Sequence, residues 1–165
     1  MKARGAFLLS LLLYAGVVLW GWTTFPDRVP VHWGGGGDAD RVVARERAVV
    51  ELVVIGAAMA LVLGGAAALV SRLPMSWINV PHKEHWSRPE NRPELHRRLA
   101  GDLWPVATAT LLLLSVVVVQ VALVADDPDP RLGPLFWGAF AIYLVVVVGI
   151  AVNSALRRYR PQGTQ

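Results

Sequence analysis

Residues 25–47 read FPDRVPVHWGGGGDADRVVARER, and they lie between two long apolar runs: AFLLSLLLYAGVVLWGWTT at 6–24 and AVVELVVIGAAMALVLGGAAALV at 48–70. As helices rising about 1.5 Å per residue, both runs are long enough for a hydrocarbon core of roughly 30 Å. The connector between them is not a plain tether. It carries two prolines, four consecutive glycines, a histidine between Val31 and Trp33, and four acidic residues against four arginines. The pattern predicts two membrane spans joined by a structured outer loop.

Two further apolar blocks follow, at 103–125 and 135–156. The 165 residues are 55% hydrophobic and 17% charged. Soluble domains are less apolar and about 25% charged, so the bilayer is the expected solvent. The expected fold is an all-α integral membrane protein of four transmembrane helices, forming a single domain over residues 1–165. The loop at 25–47 is structured, and a short interfacial helix precedes the third span. Lys2 and Arg4 ahead of the first run also fit a secretory signal, but no small-x-small cleavage site follows, so an uncleaved span is the reading adopted. With no cysteine, disulfides and thiolate metal sites are excluded.

Orientation follows from lysine and arginine. The N-terminus, the loop 71–102 and the tail after Leu156 hold 11 of them, and the loops 25–47 and 126–133 hold 5. The positive-inside bias places both termini and the loop 71–102 in the cytoplasm. Trp20, Trp22, Trp104 and Trp137 fall near span ends, as an aromatic belt requires. The basic residues cluster at those ends too, so the partner of this charge is anionic lipid rather than nucleic acid.

In the outer loop, Pro26 and Pro30 favour extended backbone. That makes an arm with Val29, Val31 and Trp33 on one side and His32 on the other. Gly34 to Gly37 allow a reversal. Asp38 or Asp40 then caps a second helix starting near Arg41, since Arg41 to Arg47 contains no breaker. Such a helix to Val70 is about 45 Å long, so its first turns project from the membrane. His32, Asp38 and Asp40 together form a conceivable cation site. The plainer reading has the acids capping the helix and pairing with Arg41 or Arg45. Glu51 pairs with Arg47 four residues earlier. Gly56, Ala60, Gly64 and Ala68 form a small-residue stripe that serves close packing within the chain or, alternatively, a homo-oligomer. Asp102 is read as the N-cap of the third span, with Pro105 in its first turn. Ser115 and Gln120 within that span are read as bonding to neighbouring helices or backbone.

The loop 71–102 holds His82, Glu84, His85 and His96 without a zinc-ligand pattern. Trp77, Ile78, Val80 and Trp86, interleaved with Lys83, Arg88 and Arg92, suit a headgroup-level segment. Pro93 opens the interfacial helix, with Leu95 and Leu99 on one face. No nucleophile elbow, phosphate loop, HExxH or dinucleotide fingerprint occurs, so no catalytic residue, cofactor or metal is assigned.

Two motifs resemble a known family. Pro26-Asp27-Arg28-Val29-Pro30-Val31-His32-Trp33, with the glycine turn and Asp40 after it, is similar to the first motif of domain-of-unknown-function family sixteen-forty-eight, the N-terminal domain of SdpI-type membrane immunity proteins. Asn79-Val80-Pro81-His82-Lys83-Glu84-His85-Trp86 is similar to its second motif, Asn-x-Pro-x-Lys-x-x-Trp. His82 and His85 depart from it, and the chain is shorter than SdpI-type proteins. The resemblance implies a bacterial inner-membrane protein, with relatives that confer immunity to a secreted peptide toxin. It directs attention to Pro26, Asp27, Pro30, His32, Trp33 and Asp40 as a peptide- or protein-binding set. In the cytoplasmic loop it singles out Asn79, Pro81, Lys83 and Trp86. The competing expectation is an accessory subunit of a transporter or envelope complex, which predicts a wet path lined by Glu51, Ser115, Gln120 and Asn153. The third reading, an enzyme, needs a metal at the histidines.

Overall fold

The computed structural model describes residues 2–161. Helix α1 spans Lys2–Thr24, followed by strands β1 (Arg28–Trp33) and β2 (Ala39–Ala44). Helix α2 runs over Arg45–Arg72, the short α3 over Lys83–Ser87, α4 over Arg92–Val124 and α5 over Pro134–Arg158. The protein is mostly helical. Its four long helices, α1, α2, α4 and α5, have the length and apolar composition to cross a membrane.

Helices α1, α2 and α4 pack together, and α5 lies chiefly against α4. The core joins Phe7, Tyr14 and Val18 of α1 to Ala67 of α2 and to Trp104, Leu111 and Val118 of α4. Phe7 meets Trp104 with ring centroids 5.2 Å apart. Lipid is as apolar as leucine, so these helices associate through close packing rather than water exclusion. The small-residue stripe supplies that closeness. A Cβ on Gly56 would sit 2.0 Å from Tyr14 Cε1, and one on Gly64 would sit 2.6 Å from Phe7 Cζ. In a regular α-helix, positions four apart drift by about 40° per step. The wide π turn at Ala60–Gly64 underwinds α2 and returns Gly64 to the face of Gly56. Beyond it the buried positions are Ala67 and Val70, and Ala68 is exposed, contrary to the expected stripe. At Gly56 and Gly64 the stripe receives the Tyr14 and Phe7 rings of α1, the close packing within the chain expected of it.

Three expectations need correcting. The fold is not all helix, because residues 39–44 form β2 and α2 starts at Arg45. Nothing in Arg41 to Ala44 breaks a helix, but Val42 and Val43 are β-branched and the extended arm offers them a partner. Val29 pairs with Val43 and Pro30 with Val42. Asp38 and Asp40 therefore cap nothing; the N-cap is Ala44, without a side-chain bond, and the Arg45 amide donates to the Asp27 carbonyl (3.1 Å). Second, the segment opened by Pro93 is not a separate interfacial helix. It is the first turns of α4, which at 33 residues and about 50 Å outruns the hydrocarbon core. Third, Asp102 lies inside that helix and is not its cap, and Pro105 is interior rather than in a first turn.

Candidate functional site

The hairpin closes one end of the bundle. Gly34 to Gly37 make the reversal. The Gly34 amide donates to the Asp38 carbonyl (2.9 Å) and the Gly37 amide to the Gly34 carbonyl (2.9 Å). Gly37 has φ +83°, a left-handed conformation that glycine takes without a Cβ penalty. The register slips between Pro30 and His32, where proline has no N–H to offer the ladder. Val29 and Pro30 both become buried, Val31 and Trp33 half-buried, and His32 faces out.

Four fastenings hold this hairpin. Asp27 pairs with Arg45 across the base. Arg41 grips Glu51 with two nitrogens at 3.0 and 2.7 Å, and Arg47 reaches the same carboxylate at 3.0 Å. The other two come from the loop between α4 and α5. Trp33 Nε1 donates to the Pro130 carbonyl at 3.1 Å, and Arg131 pairs with Asp38 at 2.8 Å. Backbone bonds reinforce this join, from Ala39 N to Pro130 O and from Leu132 N to Gly37 O, both 3.3 Å. Arg131 is held further into its charged form by its hydrogen bond to Asp129 and by the charges of Asp129 and Asp38.

Residues 9–57 match a family model, Domain of unknown function (DUF1648). The matched segment takes in most of α1, the whole hairpin and the first turns of α2, so the Pro26–Asp40 motif lies inside it. The second motif, residues 79–86, lies outside it. No curated protein and no solved structure is matched by the chain.

Within the matched motif, the structure joins His32 and Asp40, with Nδ1 2.5 Å from Oδ1, and leaves both exposed. Asp38 turns away to Arg131. The three groups therefore do not converge, and among the described residues no three of His, Asp and Glu stand together to hold a metal. The same is true of His82, Glu84 and His85, which lie on and beside α3. The motif divides by role. Pro30 and Trp33 fix the hairpin, Asp27 ties its base, and His32 and Asp40 form its outward face.

The opposite end holds a second assembly that sequence reasoning missed. Trp86 of α3 is buried with Ile78, Val80, Leu95 and Tyr159. Its Nε1 donates to the Tyr159 carbonyl at 3.0 Å, and the Arg98 guanidinium lies 5.1 Å above its ring. Tyr159 in turn donates its hydroxyl to Asp102 Oδ2 (2.7 Å), where Ser154 also donates (2.9 Å). Arg158 Nε stands 2.8 Å from Asp102 Oδ1, an ion pair more than a directed hydrogen bond. Burial, then the bond to Asp102, pushes the Tyr159 phenol above its ordinary range. Of the motif at 79–86, Trp86 is central here, Lys83 reaches the Ser76 carbonyl at 3.5 Å, and Asn79 and Pro81 are exposed. His82 adopts φ +57°, an uncommon value for a non-glycine residue, at the turn into α3.

The polar groups along the spans do not line a path. Glu51 is taken by Arg41 and Arg47 at the hairpin end. Ser115 donates to the Leu111 carbonyl of its own helix at 2.9 Å. Gln120 is buried beneath the 130s loop, its Nε2 3.5 Å from the Arg131 carbonyl. Asn153 lies near the far end of α5 and is exposed.

Proposed function

We propose that this protein is a multi-pass bacterial inner-membrane module that recognises a secreted peptide or a partner protein with its hairpin, in the manner of SdpI-type immunity proteins. In this reading the hairpin faces out of the cell and both termini lie in the cytoplasm, which the excess of lysine and arginine at the other end supports. The observation that carries it is the fastening of the hairpin to α2 and to the loop between α4 and α5. A tether presents no fixed surface. A hairpin held at its base, edge and tip offers a preorganised one, which lowers the ordering cost of binding. His32, Asp40 and Val42 project from it into solvent.

The test is a photo-cross-linking residue at Val42 in living cells, compared with one at Val145 on the exposed wall of α5. Val42 should yield a discrete peptide or protein adduct that disappears when His32 and Asp40 are both alanine. The same adducts from Val42 and Val145 would overturn the reading. A second reading, an accessory subunit of a larger membrane complex, draws on α5. No residue of that helix from Pro134 to Asn153 is buried, so its outer wall is open to another span. The scattered polar groups give no support to a solute path through this chain alone.

A further inference from the structure

We propose that the cleft between the ends of α4 and α5 binds the phosphodiester headgroup of an anionic phospholipid. The cleft has a volume of about 430 Å³ and is lined by Glu94, Arg97, Arg98, Asn153 and the arginines 157, 158 and 160. Five guanidinium groups thus face one carboxylate. Several are already engaged: Glu94 pairs with Arg97 and Arg98, and Asp102 with Arg158. Among the described residues Arg157 and Arg160 have no carboxylate partner, and both are exposed at the rim. A planar guanidinium meets phosphate oxygens two at a time, which suits it to this ligand.

The surroundings favour a lipid over free phosphate. Val152 and Leu156 stand exposed on the wall of α5 just below the cleft. Between the two helices runs an apolar groove of about 230 Å³, lined by residues such as Leu112, Val116, Ile142 and Val146. A headgroup held by Arg157 and Arg160 would leave its acyl chains on that apolar wall. Basic pockets between spans recognise headgroups in this way.

The test uses the full chain in neutral detergent. Its thermal unfolding is followed with added phosphatidylglycerol, phosphatidylcholine or inorganic phosphate. Phosphatidylglycerol alone should raise the melting temperature. The Arg157→Gln/Arg160→Gln variant should need at least about tenfold more of it for the same shift, since one of its two lost charge-assisted contacts is alone worth that much. Arg72→Gln/Arg88→Gln, with the same net charge and the same membrane end, should respond as the unaltered chain does. Equal protection by phosphatidylcholine or by inorganic phosphate would overturn the proposal. So would a wild-type response from the Arg157/Arg160 variant, or an equal loss in the Arg72/Arg88 control. The melt without lipid reports whether each variant folds.

Discussion

Replacing Gly56 by alanine puts one methyl group into the tightest contact in the bundle. Its Cβ would lie 2.0, 2.7 and 2.8 Å from three ring carbons of Tyr14. Carbon atoms in contact prefer about 3.5–4.0 Å, so the ring has to retreat by roughly 1.5 Å. That retreat takes the Tyr14 hydroxyl out of its 2.5 Å bond to the Leu52 carbonyl. Overpacking of this kind costs roughly 1–3 kcal/mol and a lost hydrogen bond about 1 kcal/mol, against less than about 1 kcal/mol gained in helix propensity. The net loss is about 2 kcal/mol, or roughly 4–8 °C of melting temperature for a chain of this size. Tryptophan fluorescence during thermal unfolding in detergent reads it. Gly65 provides the comparison, because a Cβ there meets nothing within 4 Å. Gly65→Ala should leave the melt unchanged or raise it by a few degrees, the gain in helix propensity alone, and Tyr14→Leu should abolish the loss caused by Gly56→Ala. A Gly56→Ala protein that melts with the unaltered chain, or a Gly65→Ala protein that falls as far, would refute the packing argument.

Other perturbations follow from the two ends. Trp33→Phe removes the bond to the Pro130 carbonyl, so amide exchange in 28–44 should speed up by roughly fivefold, the worth of about 1 kcal/mol, while α1 keeps its protection. Asp102→Asn takes the charge partner from Arg158 and weakens the acceptor of Ser154 and Tyr159; trypsin should then cut at 157–160 faster, while the hairpin end keeps its exchange pattern. The raised Tyr159 phenol gives a pH dependence. Above the ordinary phenol value of about 10 the unfolded chain releases this proton while the folded chain retains it, so its stabilising contribution is present below that pH and lost as pH rises. Alkaline melting curves should show the fall, and Tyr159→Phe should flatten it.

The four spans were legible because apolar length is a local property of the sequence. Lysine and arginine counts alone underlie the orientation. The Glu51–Arg47 pair was legible too, since its partners are one helical turn apart. The second strand was not. Arg41 to Arg47 suits either a helix or a strand, and the choice rests on pairing with Val29 and Pro30 across the glycine turn. Asp38 and Asp40 fit the pattern of caps, but their partners are Arg131, reached from another loop, and His32, reached only once the hairpin has closed. The same distance hid the far end. Asp102 resembled a cap because Pro105 follows it, and Tyr159 stood unnoticed among arginines, yet the two are joined across 57 residues. A continuous α4 brings them together by carrying Asp102 beyond its expected start and under the end of α5.

The outward hairpin is the claim on which the recognition reading stands. The chain has no cysteine, so Val42→Cys and Arg160→Cys each introduce a single thiol, one on the hairpin and one at the arginine-rich end. Intact cells are treated with a membrane-impermeant maleimide before and after permeabilisation. Labelling of Val42→Cys in intact cells, with Arg160→Cys labelled only after permeabilisation, is the predicted result. The reverse pattern would put the hairpin in the cytoplasm and contradict recognition of a secreted ligand.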